Sequence, residues 1–282
     1  MSNSSSLSPA GPDFIIIGAA KAGTTSLASY LGQHPEVFVT DPKEPAHFTG
    51  RGDFADTSKY RSLFVASRPG QIAGEASTVY SRQAAFPGVP RRIHASAPAA
   101  QLVYLVRDPM ARLRSHYLMR LRLGTTEGSF DAFCSRNDWY TDISCYGVQL
   151  RTYLEYFDAE QVHIARIEDL AADQTGVLRS IASHIGADPD FYHLDRTLQR
   201  LNVAPGGAPQ RHRSTPRVLR ATAKLLPKRA RRRLKRRMPK TTVDETDLVL
   251  APRTERRLRD MFAADQRLLA ELSSSDQPWY AP

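Results

Sequence analysis

Short apolar runs alternate along this chain with stretches in which apolar residues recur at helical spacing. The run at residues 14–17 is continuous and β-branched, residues 101–106 form a second buried run, and residues 162–167 predict a third strand. A continuous run of this length is typical of a strand that is buried on both faces. A shorter run at residues 71–73 predicts a fourth strand.

Helical periodicity follows most of these runs. It covers residues 24–31, 109 to about 124, about 146–157, about 175–185 and 252–272. Asp108 suits the N-cap of the second stretch, and Pro109 suits its first helical position. Strands that alternate with helices predict an α/β fold of three layers, with a central, mainly parallel sheet flanked by helices.

Length and composition indicate one large domain. The chain has 282 residues, of which 41% are hydrophobic and 24% charged, as in ordinary globular proteins. We expect a polar tail at residues 1–12 and a single domain at 13–282, with a loop-rich basic segment at about 205–241. No apolar run approaches the roughly 20 residues of a membrane span, and the start of the chain lacks signal-peptide character. A cytoplasmic location is therefore expected.

Positive charge is concentrated in one segment. Residues 211–240 contain fourteen Lys and Arg and no Asp or Glu, which exceeds the net charge of +10 of the whole chain. The rest of the protein is therefore mildly acidic. The basic segment admits three interpretations: a solvated helical face, a surface that steers an anionic donor or acceptor, or a peripheral contact with an acidic membrane surface or nucleic acid. Its core at residues 228–237 has no aromatic residue, which disfavours base stacking, so no nucleic-acid partner is expected.

The two cysteines, Cys134 and Cys145, are predicted to be structural free thiols. Neither cysteines nor histidines occur at the spacing of a metal site, so no metal is expected.

A glycine-containing turn connects the first strand to the first helix. It reads Gly18-Ala-Ala-Lys21-Ala-Gly23-Thr24-Thr25. Such a turn presents backbone N–H groups and a helix N-terminus to an anion. The two glycines keep the spacing of a nucleotide-binding P-loop, but Thr24 stands where its lysine belongs, and the lysine lies three places earlier. The pattern predicts a P-loop-like site that differs from an Mg²⁺-dependent triphosphate site; a tight structural connection is the alternative.

A second candidate anion-binding site lies at the end of the strand at 101–106. Arg107 follows this strand directly, and Ser115 lies two turns into the next helix. A guanidinium and a hydroxyl at such a corner suit a single phosphate group. The alternative is that Arg107 pairs with a carboxylate and that Ser115 is a surface hydroxyl.

These two elements together resemble the donor site of sulfotransferases. Lys21-Ala-Gly-Thr-Thr25 is similar to their 5′-phosphosulfate loop, and Arg107-Asp-Pro-Met-Ala-Arg112-Leu-Arg-Ser115 is similar to their 3′-phosphate motif. The chain is identified as a member of the family that includes heparan sulfate glucosaminyl sulfotransferases and their bacterial relatives. The resemblance implies the donor 3′-phosphoadenosine-5′-phosphosulfate and a reaction without a metal ion.

The resemblance also implies roles for individual residues. Lys21 would bridge the 5′-phosphate and the sulfuryl group, and Arg107 and Ser115 would hold the 3′-phosphate. The remaining donor contacts would come from the loop and from a late segment that closes over the nucleotide: Ala22, Gly23, Thr24, Thr25 and Ser26, together with Arg211 or Arg213.

The sequence leaves more than one candidate for the residues that bind and activate the acceptor. In the family a glutamate shortly after the first helix acts as the general base, and Glu44 occupies the matching position. One extra residue, Ala46, precedes His47, so His47 stays an alternative base. Glu75 and Ser77 follow another strand and are predicted to bind the acceptor.

The sequence thus predicts transfer of a sulfuryl group to a hydroxyl, or less readily an amine, of a carbohydrate, glycolipid or secondary metabolite. A P-loop-type small-molecule kinase is the alternative enzyme, and a basic module that binds nucleic acid or membrane is the alternative without catalysis. The acceptor itself and the oligomeric state do not follow from the sequence.

Overall fold

The protein is described here from a computed structural model, which covers residues 11–136, 138–193, 211–213, 240–242, 248–273 and 279–280. Its centre is a five-stranded parallel sheet in the order β2-β3-β1-β4-β5. The strands are β1 (Phe14–Gly18), β2 (Val37–Val39), β3 (Ile72–Glu75), β4 (Gln101–Val106) and β5 (Val162–Arg166). The expected parallel α/β fold is confirmed.

Helices connect these strands. They are α1 (Thr24–Leu31), α2 (Thr57–Ser62), α3 (Val89–Ser96), α4 (Pro109–Arg122), α5 (Phe130–Arg136), α6 (Asp138–Asp142), α7 (Tyr146–Leu154), α8 (Ile167–Ala172), α9 (Gln174–Ile185) and α10 (Pro252–Leu272). Short 3₁₀ turns occur at His47–Thr49, Ala159–Gln161 and Pro189–Tyr192. Asp108 caps α4 as predicted, since its side chain accepts a hydrogen bond from the N–H of Ala111 at 2.6 Å.

The position of β1 explains its continuous apolar sequence. β1 is paired with β3 on one side and with β4 on the other, and all five of its residues are buried. A strand in the middle of a sheet covered on both faces has no solvent-facing side, so it needs no polar residues. The strand β2 was missed from the sequence because it has only three residues.

A second, smaller apolar cluster lies between α4, α5 and α10. It contains Leu113, Tyr117, Phe130, Phe133, Cys134, Cys145, Leu258 and Phe262. Both cysteines are buried free thiols, as predicted. Burial raises the pKa of each thiol to about 12, so neither is a reactive thiolate at neutral pH.

A short antiparallel pair, β6 (Arg211–Arg213) and β7 (Lys240–Thr242), is the described part of the basic segment. The backbone of β6 lies near α4. The rest of the basic segment at 205–241 and the tail at residues 1–10 lie outside the described residues. Within the described part of the chain, no helix combines the length and apolar character that a membrane span requires.

The topology places a crevice between β1 and β4. After β1 the chain continues to β2 at one edge of the sheet, whereas after β4 it continues to β5 at the opposite edge. In open parallel sheets ligands bind at such a switch point, beyond the carboxyl ends of the strands. Here those two strand ends lead into the glycine turn and into Arg107, respectively.

Candidate active site

The glycine turn begins where β1 ends and runs into the N-terminus of α1. Gly23 is the N-cap of α1 and has a left-handed backbone, with φ of 92°. A Cβ at this position would lie 2.4 Å from Cδ1 of Ile167, so both the backbone conformation and the packing require glycine. Lys21 also has positive φ, at 75°, which is uncommon for a residue with a side chain.

The backbone N–H groups of this turn divide into two sets. Those of Ala22 and Ser26 donate to carbonyls within the turn, to Ala19 at 3.1 Å and to Gly23 at 3.0 Å. Within the described chain, the N–H groups of Gly23, Thr24 and Thr25 donate no backbone hydrogen bond. Three of the five loop residues predicted to contact the donor therefore present a free backbone donor.

The N–H groups of Ala22 and Ser26 are already engaged inside the turn, whereas the half-buried hydroxyl of Ser26 stays a predicted donor contact. The Ala22 side chain is also fully buried, so it offers a ligand no surface. Ala22 is better understood as a packing residue beneath the loop.

The two predicted donor motifs meet in the structure. Nη1 of Arg107 donates a hydrogen bond to the backbone carbonyl of Lys21 at 3.3 Å, across 86 positions of sequence. The carbonyl of Arg107 in turn accepts a hydrogen bond from the buried hydroxyl of Tyr146 at 2.8 Å. Arg107 is thus held at both its main chain and its side chain, beside the turn. Ser115 lies half-buried in the second turn of α4, which begins two residues after Arg107.

The electrostatics of the crevice are dominated by positive charge. Burial lowers the pKa of Lys21, and the nearby guanidinium groups of Arg122, Arg107 and Arg112 lower it further. The five ion pairs among the described residues include neither Lys21 nor Arg107. Lys21 and Arg107 are neighbouring cations without an ion-pair partner among the described residues, and an anionic ligand would relieve their mutual repulsion.

Arg112 is a structural member of this cluster that sequence reasoning left without a role. Its side chain is fully buried; Nε donates to the hydroxyl of Ser144 at 2.5 Å, and Nη2 donates to the carbonyl of Tyr140. Its Nη1 lies 3.1 Å from Nδ1 of His116. Burial, followed by the charge of Arg112, lowers the pKa of His116 to about 3, so this imidazole is neutral and its Nδ1 accepts the hydrogen bond. Arg112 therefore joins α4 to the segment that precedes α7.

The acceptor-side candidates lie after β2 and β3, at the same edge of the sheet. Glu44 is exposed over 40% of its side chain; its Oε1 lies 2.5 Å from Nζ of Lys43, and its Oε2 accepts from the hydroxyl of Thr78 at 3.3 Å. His47 is half-buried. Its Nδ1 lies 2.6 Å from the carbonyl of Phe54, and its ring stacks on Tyr60 with centroids 4.1 Å apart. Of the two candidate bases, Glu44 is the more open to a ligand.

Glu75 and Ser77 do not face this opening. Both side chains have 0% exposure, and they are hydrogen-bonded to each other at 2.5 Å. Their predicted contact with an acceptor finds no support in the geometry, because neither offers it any surface. Burial raises the pKa of Glu75 to about 7, although three hydroxyl groups donate to it.

The predicted contacts of Arg211 and Arg213 concern side chains outside the described part of the structure, as does most of the predicted closing loop. In the described part of the chain no group of three or more potential metal ligands occurs.

The chain is similar in sequence to proteins of known function. The chain matches the sulfotransferase domain family over residues 11–204. It is 32% identical over 197 residues to heparan sulfate glucosamine 3-O-sulfotransferase 3B1 of Mus musculus, which covers 64% of this chain and 49% of the relative. It is 30% identical over 213 residues to heparan sulfate glucosamine 3-O-sulfotransferase 6 of Homo sapiens, covering 70% and 60%, respectively. The chain thus spans about half the length of the curated relatives it matches.

A solved structure extends the likeness to nearly the whole chain. A sulfotransferase from Alicyclobacillus acidocaldarius aligns with a TM-score of 0.67 and 26% identity, covering 95% of this chain and 98% of that one. This overall similarity supports the α/β fold described above. Since the family match extends over more than half of the sequence, the chain belongs to the sulfotransferase domain family.

Proposed function

We propose that this protein transfers a sulfuryl group from 3′-phosphoadenosine-5′-phosphosulfate to a hydroxyl group of a carbohydrate. The observation that carries the proposal is the junction of Lys21 with Arg107 at the switch point of the sheet. It brings a lysine and an arginine to the carboxyl ends of two adjacent strands, without a carboxylate partner among the described residues. Such a site suits a ligand that carries several negative charges.

The residues present fit this donor. The free N–H groups of Gly23, Thr24 and Thr25 would hold the 5′-phosphate, and the α1 N-terminus adds a favourable dipole. Arg107, with Ser115, would hold the 3′-phosphate, which is the group that distinguishes this donor from ATP. When bound, the donor would supply the sulfuryl group as an electrophile with a phosphate leaving group.

Lys21 would act on the leaving group. Its ammonium would stabilise the negative charge that develops on the 5′-phosphate oxygen as the S–O bond breaks. The new S–O bond forms to the acceptor oxygen, whose proton passes to a base. Glu44 is our candidate for this base, because it is an exposed carboxylate at the same sheet edge; His47 is the alternative.

The carbohydrate acceptor is supported by the names of the relatives, which act on the glucosamine of heparan sulfate, and the 3-O-sulfotransferases among them favour a hydroxyl over an amine. The single domain at 13–282, the cytoplasmic location and the contact of residues 211–240 with an acidic membrane surface stay predictions.

The test is transfer of labelled sulfate from the donor to a panel of glucosamine-containing glycans, with Lys21→Ala as the key variant. Removing a charge-stabilising group at the leaving group costs about 10²–10³-fold in rate. The exposed Lys59 supplies the matched control, Lys59→Ala, which should retain full activity. A Lys21→Ala variant with near-normal turnover would remove the central assignment.

A second measurement separates this function from the kinase alternative. The thermal stability of the protein is measured with adenosine 3′,5′-bisphosphate and with ATP at equal concentrations. We expect stabilisation by the bisphosphate to exceed that by ATP, because at equal concentration the ligand that binds the folded state more tightly stabilises it more. Preferential stabilisation by ATP would favour the kinase.

A further inference from the structure

The carboxyl end of β3 holds a fully buried carboxyl group. Glu75 is the last residue of β3, and its side chain has 0% exposure. Its Oε1 accepts hydrogen bonds from the hydroxyls of Tyr60 at 2.8 Å and Tyr80 at 2.9 Å, and its Oε2 accepts one from Ser77 at 2.5 Å. We refer to Tyr60, Ser77 and Tyr80 as the hydroxyl cage.

The cage is unusual because it contains no cation. Among the described residues, no lysine or arginine donates a hydrogen bond to Glu75, so its charge is balanced only by neutral hydroxyls. Burying a carboxyl group without a cation is costly compared with an apolar residue of similar size. Stability alone therefore does not explain why the core contains this group, and its connections point to another role.

Each member of the cage also contacts the same surface turn. The hydroxyl of Ser77 accepts a hydrogen bond from the N–H of Ala46 at 2.9 Å, and the hydroxyl of Tyr80 accepts one from Phe48 at 3.3 Å. The ring of Tyr60 stacks on that of His47 with an interplanar angle of 6°. The hydroxyl cage around Glu75 thus contacts three consecutive residues of the turn, 46–48.

This turn carries the candidate base. Glu44 lies two residues before Ala46, whose backbone has a positive φ of 55°. On its other side the turn is tied to the strand end by the N–H of Ala76, which donates to the carbonyl of Lys43 at 2.8 Å. Glu44 therefore lies between two anchor points, one at Lys43 and one at residues 46–48, and the second depends on the hydroxyl cage.

We propose that Glu75 is a positioning residue, which orients the hydroxyl cage so that the cage holds the turn at residues 42–48 and places Glu44 toward the acceptor. The carboxylate accepts all three hydroxyl protons, and this leaves the oxygens of Ser77 and Tyr80 free to accept from the N–H groups of the turn. This inference rests on the proposed function, in which Glu44 receives the acceptor proton. Glu75 itself touches neither donor nor acceptor.

The experiment combines an exchange measurement with kinetics on the full chain. Glu75→Gln keeps the volume but replaces one acceptor oxygen by an NH₂ group, so at least one cage hydroxyl loses its acceptor. Ser77→Ala breaks the link to Ala46 and leaves the carboxyl in place. Tyr192→Phe is the matched control, since Tyr192 also loses a buried hydroxyl bond, 3.1 Å to the carbonyl of Tyr30, outside the cage.

In both Glu75→Gln and Ser77→Ala we expect amide hydrogen exchange at residues 46–48 to accelerate by about tenfold or more, because exchange reports local opening of the backbone. The affinity for adenosine 3′,5′-bisphosphate should stay within about threefold, since the donor loop is untouched, whereas kcat should fall about 10²-fold from misplacement of the base. The Tyr192→Phe control should change none of the three.

The outcomes separate the inference from the proposed function. Exchange at residues 46–48 can be measured without turnover, so a chain that transfers no sulfate would end the proposed function and leave the anchoring role testable. Unchanged exchange in Glu75→Gln would overturn the inference. So would a Glu75→Gln variant that is inactive with normal exchange while Glu44→Gln is active, because Glu75 would then be the base.

Discussion

The buried carboxyl group of Glu75 makes a prediction about stability and pH. Burial raises its pKa in the folded protein from the ordinary value of 4.5 to about 7. Between these pH values the folded protein retains a proton that the unfolded chain has released, so raising the pH favours unfolding. The contribution of Glu75 to the free energy of unfolding should therefore fall as the pH rises from about 4.5 to 7 and stay constant above that range.

The size of the effect follows from the two pKa values. A rise from 4.5 to about 7 corresponds to about 3 kcal/mol of lost stability at pH values above 7. Other groups also make stability depend on pH in this range. The pKa of Asp265 is raised to about 6 in the folded protein, and the pKa of His116 is lowered from 6.5 to about 3, so His116 takes up a proton on unfolding between these values. Their contributions are shared by the wild type and a Glu75→Gln variant, which is uncharged at position 75 at every pH, and they cancel in the difference between the two.

Urea denaturation followed by fluorescence at several pH values from 4.5 to 8 gives the free energy of unfolding of each protein. We expect the wild-type value minus the Glu75→Gln value to decrease by about 3 kcal/mol across this range. The exposed Glu271 provides the control, Glu271→Gln, for which the difference should be nearly flat. A flat difference for Glu75→Gln as well would mean that this carboxyl group titrates as it does in the unfolded chain, and the argument from burial would be refuted.

Three further predictions concern the crevice and its support. Arg107→Ala should weaken binding of adenosine 3′,5′-bisphosphate by about 1.5–3 kcal/mol in calorimetry but hardly affect an analogue that lacks the 3′-phosphate; equal losses would make Arg107 structural. Glu44→Gln should abolish turnover without changing the affinity for adenosine 3′,5′-bisphosphate, because it removes the base and leaves the donor site intact. If Glu44→Gln is active and His47→Ala is inactive, the histidine is the base. Asp265 accepts from the N–H groups of residues 147 and 148 at 3.0 and 2.9 Å at the start of α7. Asp265→Ala should therefore destabilise the protein by about 2–4 kcal/mol in urea, whereas Asp260→Ala, at an exposed position of the same helix, should have little effect.

Local sequence was sufficient to predict much of the fold and to single out the turn after β1 as a candidate donor site. The strands β1 and β4 could be predicted because strands buried on both faces need continuous apolar residues, and α4 because Asp108 and Pro109 mark its start. The turn after β1 was recognisable because its chemistry is carried by backbone groups and one lysine within eight residues. The structure of such elements depends on residues that are close together in the chain, so the sequence alone is enough to predict them.

The acceptor side was decided by contacts between distant segments. From sequence, Glu75 and Ser77 are polar residues after a strand, as a ligand-binding pair would be, and only the packing of Tyr60 and Tyr80 shows that they are enclosed. The contact between Arg107 and Lys21 likewise depends on the strand order, which places β4 beside β1 although two other strands lie between them in the chain. Burial, and with it the pKa of a carboxyl group, is a property of the whole packed core, so only the tertiary structure could show that Glu75 is enclosed.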